Sequence, residues 1–425
     1  MDATKVWPEE LLPVRYIGEL QLNKNVDEFF TQVEQAAFCT SHLVPGIGFS
    51  NDPLLQGRNF SYQDTQLSRL GVNWQELPVN RPVCPVMNHH RDGQLRHRIT
   101  PGKINYWPNR HSIAPPATHA EGAYIEYPEK VPGLKQRLHS KKFSEHFSQA
   151  QLFYNSLAPH EKTHVIAALS FELDHCDDPI VYERMVERLC DIDLEMAKAV
   201  AEKVGAPSPK QGNRPNHGLR AKGLSQLDFT PEALGLAPTI ATRMVGILVA
   251  DGFNYSEYET VKAALTAAGA FVFTIGPKRQ PVIPSSGGKG VSPEHRFEAF
   301  RSTGFDSLYI PGGDHVVTLL KHGRVIHWVR EAFGHLKAIG ATGEGVALVR
   351  EACGVPGMSF STSIDVMDSY GVVTAGGVGD GPSSLKEGLK MMKGASNFVD
   401  AYAYNIAQHR NFQRELDGLA SMVAF

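Results

Sequence analysis

The hydrophobic pattern changes in character along this chain of 425 residues. Residues 1–137 are rich in proline and show irregular strand-and-loop patterning, with an apolar and polar alternation over residues 14–22 that predicts a strand. A helix capped by Asn25 is predicted to follow. One face of this helix would carry the apolar residues Phe29, Phe30, Val33 and Ala37.

Helical spacing dominates residues 138–205, where apolar positions recur every three or four residues. Residues 206–241 are rich in proline, glycine and asparagine, a composition typical of an inter-domain linker. We therefore expect a helical domain followed by a linker.

From residue 242 to residue 425, short apolar runs alternate with helical patterns. The run Val245–Ala250 is typical of a buried parallel strand. Ser256 is predicted to cap the next helix. Further strands are predicted at 271–275, 307–310 and 336–342, with helices at 316–321 and 325–333. This alternation predicts a doubly wound α/β domain.

Charge and cysteine usage exclude several function classes. The chain has 42 basic and 45 acidic residues, a net charge of -3 and no basic runs, which argues against binding to nucleic acid or to an anionic membrane. The apolar runs fall short of the ~20 residues of a membrane span, and the N-terminal residues lack a signal-peptide core. We expect a soluble, cytoplasmic protein. Its five scattered cysteines suggest neither a zinc ribbon nor a disulfide framework.

The segment 52–69 carries the candidate chemistry. Arg58, Tyr62 and Arg69 have helical spacing and can share one helix face. A cation one turn away stabilises a phenolate, so Tyr62 is a candidate anionic metal ligand. An ordinary exposed helix is the alternative.

Several short motifs around this tyrosine resemble those of a known family. Residues 44–47 (VPGI), 53–58 (PLLQGR) and 60–66 (FSYQDTQ) closely resemble the proximal haem-ligand segment of catalases. Gln66 is similar to the large-subunit branch, since small-subunit enzymes usually carry histidine there. Asn59 departs from the family pattern, which usually has an apolar residue at that position.

Two features resemble parts of the domain that large-subunit catalases share with the DJ-1/PfpI family. They are the motif IPGGD at 310–314 and the turn after 337–339. The chain thus resembles the C-terminal portion of a large-subunit haem catalase. That resemblance implies four parts: the end of a β-barrel with the proximal haem helix and a wrapping arm (1–137), a helical domain (138–205), a linker (206–241) and a flavodoxin-like, doubly wound α/β domain (242–425).

The resemblance implies a haem cofactor, of the b or a modified d type, with iron bound through Tyr62. Arg58 would keep the phenolate ionised and Arg69 would meet a haem propionate. The remaining residues implied at the cofactor are Leu54, Phe38, Ser61, Gln66 and Cys39. The implied activity is that of an oxidoreductase which disproportionates hydrogen peroxide to water and oxygen in the oxidative-stress response, as a homotetramer.

In the family, the distal histidine and the first barrel strands lie upstream of the part resembled here. We therefore expect this chain to lack the distal proton-transfer group, whose help is commonly worth ~10²–10⁴-fold in rate. Such a chain would be at best a feeble catalase. The alternative function is a non-enzymatic, stabilising or chaperone-like module.

Three further features have competing interpretations. Cys39 lies where large-subunit catalases can carry a residue covalently joined to the proximal tyrosine, but a small buried side chain is the alternative. Residues 160–164 (HEKTH) match the zinc pattern H-E-x-x-H, although Pro159 starts the helix there and no third ligand follows at the expected spacing. Gly343 replaces the DJ-1/PfpI nucleophile and Cys353 lies too far along the helix, which disfavours a hydrolase or glyoxalase.

Overall fold

The structure of the protein is a computed structural model. It describes residues 4–424 except 8, 10, 45, 84–91, 100–102, 105, 107, 112–114, 116, 124–127, 129, 131, 135, 137, 380–388 and 392. The chain forms two compact units, residues 1–149 and 150–425. The finer domain boundaries expected from the sequence stay a prediction.

The main element of the first unit is a helix, α1 (Pro53–Leu70). Asp52 caps it by accepting hydrogen bonds from the backbone N–H groups of Leu54 and Leu55, and Pro53 supplies the first helical position. The helix ends at Gly71, whose φ of 108° is easily adopted only by glycine. The helix predicted around Tyr62 is therefore confirmed.

Two other predictions for this unit are wrong. Residues 14–22 are exposed and irregular rather than a strand, and the helix expected after Asn25 is a short π-helical stretch, Phe30–Glu34, that follows Phe29 without a side-chain cap. A strand needs a partner strand for its backbone groups, and the described residues of this unit offer none. Much of the predicted wrapping arm lies outside the described residues.

Helices fill the segment after residue 147, as predicted. They are α2 (Ser148–Ser156), α3 (Pro159–Leu173), α4 (Pro179–Leu189) and α5 (Leu194–Val204). Asp178 and Asp193 cap α4 and α5, since each side chain accepts a backbone N–H of the first turn. The buried apolar residues of these helices pack into one core, which includes Tyr154, Leu173, Val186, Leu189 and Met196.

The rest of the second unit is an α/β fold around a seven-stranded mixed sheet. Its strands are β1 (Met244–Leu248), β2 (Phe271–Gly276), β3 (His295–Arg296), β4 (Ser307–Ile310), β5 (Ala338–Thr342), β6 (Met367–Ser369) and β7 (Val372–Ala375). The order is β3-β2-β1-β4-β5-β7-β6, and among the described strands the β6–β7 pair is antiparallel and the other pairs are parallel. The predicted alternation of strands and helices is confirmed.

Helices cover both faces of this sheet. They are α6 (Tyr255–Ala267), α7 (His315–Leu320), α8 (Gly323–Gly334), α9 (Gly345–Cys353), α10 (Phe398–Ala407) and α11 (Gln413–Leu416). Trp328 and Val349 belong to the core on one face, and Tyr258 and Tyr402 to the core on the other. Asn254 caps α6 instead of the predicted Ser256, because its side chain accepts the N–H of Glu257.

Candidate functional site

The Arg58–Tyr62 pair lies on one face of α1. The Arg58 Nη2 atom donates a hydrogen bond to the Tyr62 hydroxyl over 2.7 Å, and the guanidinium carbon lies 5.1 Å from the centre of the tyrosine ring. A hydrogen bond from a cationic donor is shorter and stronger than one between neutral groups. The spacing of four residues thus gives the contact expected from the sequence.

The surroundings of Tyr62 are apolar and open to solvent. The Phe38 ring meets the tyrosine ring edge-on, with centroids 5.2 Å apart. Phe38 is 64% exposed and Leu54 is 57% exposed. Ser61 is also exposed, and its hydroxyl donates to the Arg58 carbonyl. Exposed apolar side chains around a half-buried tyrosine fit a flat apolar prosthetic group, so the residues present suit a haem.

Arg69 makes its hydrogen bonds within the chain. Its guanidinium donates to the carbonyls of Glu34 (2.7 Å) and Ala36 (2.8 Å) and to the side-chain oxygen of Gln66. These bonds fix the segment before Phe38 against α1. Contact with a propionate stays a prediction for Arg69.

Cys39 is a buried free thiol close to this site. Its sulfur lies 2.9 Å from the Ser41 hydroxyl, and the Gln63 amide approaches both groups. Gln66 is buried and donates to the Phe38 carbonyl over 3.0 Å. The covalent link between Cys39 and Tyr62 stays a prediction.

The HEKTH segment lies at the start of α3, where Glu161 has a structural role. Its carboxylate accepts the backbone N–H groups of Ala158 and Gln226, each over 2.7 Å. Burial alone would raise the pKa of Glu161, but these donors lower it. His164 pairs with Glu415 on α11 at 2.5 Å. Within the described part of the chain, no three His, Cys, Asp or Glu residues are grouped to hold a metal ion.

Gly343 lies in the turn between β5 and α9 with a φ of 52°. A Cβ atom there would lie 3.2 Å from the Gly312 Cα and 3.6 Å from Glu257 Oε1. The Glu257 carboxylate accepts from the Gly312 N–H and the Thr342 hydroxyl, and Glu344 accepts from the Gly313 N–H. The backbone donors at this edge of the sheet are therefore occupied by carboxylates of the chain itself.

Cys353 does not compensate for the glycine. It is fully buried on α9, its thiol donates to the Val349 carbonyl, and burial raises its pKa to about 12. A thiol rather than a thiolate is a poor nucleophile.

The sequence did not point to two side chains at the edge of the sheet near Gly343, Glu257 and His315. Glu257 carried only the weak signal of an acidic residue in the first turn of a helix.

Comparison with known proteins gives the family. Three family models match successive parts of the chain: "Catalase" over residues 1–113, "Catalase-related immune-responsive" over residues 140–204, and "C-terminal domain found in long catalases" over residues 241–399. Similar curated proteins include Catalase-1 of Neurospora crassa, 57% identical, and Catalase A of Aspergillus fumigatus, 55% identical, both aligned with 100% of this chain. This chain belongs to the catalase family.

The chain spans 57% of the length of Catalase-1 and 58% of the length of Catalase A. A more distant bacterial relative, Catalase HPII of Pseudomonas aeruginosa, is 40% identical over 86% of this chain and 52% of its own length. Arg58 and Tyr62 lie within the range of the catalase model, and Gly343 lies within that of the long-catalase domain. Across the described residues, no helix has both the length and the apolar character to cross a membrane.

His315 should make the C-terminal domain of this catalase chain sensitive to acid. The ring is fully buried: its Nδ1 atom accepts the Ala250 N–H and its Nε2–H donates to the Pro311 carbonyl. Burial lowers the pKa of His315 to about 4, although the backbone acceptors oppose this shift. The unfolded chain takes up this proton near pH ~6.5, so stability present above that pH is lost as the pH falls towards 4.

Urea unfolding of wild type and His315→Gln at pH 7 and pH 4.5 measures this effect. The free energy of unfolding should fall by about 2 kcal/mol more in wild type than in the variant over this interval. Exposed His175→Gln is the control and should keep the wild-type difference. Equal pH dependence in wild type and His315→Gln would rule out this role.

Proposed function

We propose that this chain supplies the proximal, tyrosine side of a haem site in a catalase that disproportionates hydrogen peroxide. The carrying observation is the 2.7 Å hydrogen bond from Arg58 to Tyr62 within the residues that match the catalase model. Alignment of the whole chain with 57% and 58% of the length of two fungal catalases supports the same activity. In this proposal the whole protein acts as a hydrogen-peroxide oxidoreductase and forms the family's homotetramer.

The residues near Tyr62 suit defined roles towards haem. The Tyr62 oxygen would bind the iron as a phenolate, the kind of ligand that catalases use, and Arg58 would hold that oxygen ionised. Phe38 and Leu54 would cover the proximal face, with Ser61, Gln66 and Cys39 around them. Bound haem, of the b or a modified d type, would supply the redox chemistry that reduces one peroxide to water and oxidises a second to oxygen.

We propose a flavodoxin-like domain of DJ-1/PfpI type for residues 242–425. The central order β2-β1-β4-β5-β7 supports it, because five parallel strands in the order 2-1-3-4-5 define the flavodoxin-like sheet. Gly343 at the nucleophile position and the carboxylates of Glu257 and Glu344 on the nearby backbone donors favour a packing role. The cytoplasmic location stays a prediction.

Haem titration of the purified chain tests the first proposal. The chain should develop a Soret absorption band that saturates at one haem per chain, and the loaded chain should release oxygen from peroxide. A chain that stays colourless and only suppresses the aggregation of a client protein would contradict the proposal and favour the chaperone-like alternative.

Arg58→Leu should weaken haem binding by ~10–100-fold, the usual effect of removing a group that orients a metal ligand. Without the guanidinium donor, the Tyr62 oxygen is a weaker anionic ligand. Absorption titration of both proteins measures the affinity. Arg15→Leu makes the same change at an exposed site outside the proposed haem site and should bind haem as wild type does; an unchanged affinity in Arg58→Leu would exclude the role of Arg58.

A further inference from the structure

Three polar side chains of α1 hold the segment that passes beside Tyr62. The Asn59 side-chain oxygen accepts a hydrogen bond from the Thr40 hydroxyl over 2.7 Å. The Gln66 side-chain amide donates to the backbone carbonyl of Phe38 over 3.0 Å. Between them, the Gln63 amide donates to the Ser41 hydroxyl over 3.4 Å. We call Asn59, Gln63 and Gln66 the clasp.

Asn59 is the informative member of the clasp. Asparagine is unfavourable inside a helix because its side chain competes for backbone hydrogen bonds. Here it is placed at mid-helix, seven residues after the cap, where the resemblance to catalases implies an apolar residue. Its hydrogen bond to Thr40 joins residues 19 apart in sequence, so the side chain serves a tertiary contact.

The clasped segment lacks regular secondary structure and is held by side chains. Before Phe38, Asn80 accepts the Ala37 N–H over 2.7 Å and Arg69 donates to the Ala36 carbonyl, and from Phe38 onward the clasp takes over. Residues 36–39 are irregular, and Phe38 is mostly exposed. Yet the Phe38 ring is set edge-on to Tyr62, and Cys39 is buried. Hydrogen bonds on both sides of Cys39, at Phe38 and at Thr40, therefore contribute to where the Phe38 and Cys39 side chains lie.

We propose that Asn59 is a positioning residue of the tyrosine site, which acts through Thr40 to fix Phe38 and Cys39 beside Tyr62. The proposal rests on the proposed function, since it assigns the clasp to the haem face of this chain. In the haem-free chain, loss of the Asn59–Thr40 bond should let the segment around Cys39 open and expose its thiol.

Alkylation of the haem-free, full chain by iodoacetamide tests this statement, with peptide mass spectrometry to follow each cysteine. In Asn59→Leu and in Thr40→Val, Cys39 should react about 5-fold faster than in wild type, the change expected from one lost hydrogen bond. Thr40→Ser keeps the hydroxyl and should react at the wild-type rate. Thr65→Val, on the exposed side of α1, is the matched control.

Cys190 is buried in the second unit and reports on unfolding of that unit. Its rate should not change in any variant. An unchanged Cys39 rate in both Asn59→Leu and Thr40→Val would overturn the proposal, as would an equal acceleration of Cys39 and Cys190. If Asn59→Leu fails to fold, Thr40→Val, the smaller change, decides alone.

Haem titration supplies the second readout. Asn59→Leu should shift the absorption spectrum of added haem relative to wild type, and Thr40→Ser, which keeps the hydroxyl, should retain the wild-type spectrum. If wild type binds no haem, the proposed function fails while the alkylation rates still decide the role of Asn59. If wild type binds haem and Asn59→Leu has the wild-type spectrum, Asn59 does not position the site.

Discussion

Tyr62→Phe should lose iron-ligated haem binding while the fold of the chain remains intact. The substitution removes only the hydroxyl oxygen, which is both the acceptor of the Arg58 hydrogen bond and the proposed iron ligand. The ring and its edge-on contact with Phe38 remain. Because loss of a ligand should exceed the ~10–100-fold cost of losing a group that merely orients one, we expect haem affinity to fall by more than ~100-fold.

Absorption titration gives the affinity, and circular dichroism on heating shows whether the fold is retained. Tyr16→Phe removes the hydroxyl of a tyrosine that is 98% exposed and should leave haem binding unchanged. Tight binding by Tyr62→Phe with the wild-type spectrum would show that another group ligates the iron.

Arg414→Met should lower the free energy of unfolding of the second unit by about 2–4 kcal/mol. Arg414 is completely buried, and its guanidinium donates to the carbonyls of Phe333, Lys337 and Tyr370. Phe333 lies at the C-terminal end of α8, where unpaired carbonyls favour a cation. Methionine fills much of the space but leaves these carbonyls without donors.

Burial lowers the pKa of Arg414 to about 10, so the guanidinium is charged at neutral pH. Its planar set of donors reaches several carbonyls at once, whereas the single ammonium of Arg414→Lys would reach fewer. We therefore expect the lysine variant to be intermediate between wild type and Arg414→Met in urea unfolding. Exposed Arg324→Met is the control for loss of one charge. A loss below ~0.5 kcal/mol, as for an ordinary surface position, would mean that Arg414 is not needed to anchor α11.

Local patterns predicted those elements whose stability depends on local spacing or continuous burial. The helices α1, α3, α4 and α5 and the strands β1, β2, β4 and β5 lie where periodicity predicted them. The predicted strand at 14–22 failed because alternation alone does not supply a partner strand. Ser256 and Asn254 are both good capping residues. Asn254 is the cap because its backbone is extended where α6 begins and its side chain accepts the Glu257 N–H.

The Arg58–Tyr62 contact follows from local sequence, because residues four apart on a helix are neighbours whatever the rest of the chain does. The absence of a nucleophile at Gly343 likewise follows from the residue type. Three other features depend on long-range packing: the carboxylates that occupy the donors near Gly343, the bond between Asn59 and Thr40, and the burial of Arg414 among carbonyls. Those partners lie from 19 to 81 residues apart, and a pair so distant in sequence becomes a contact only when packing brings its two segments together.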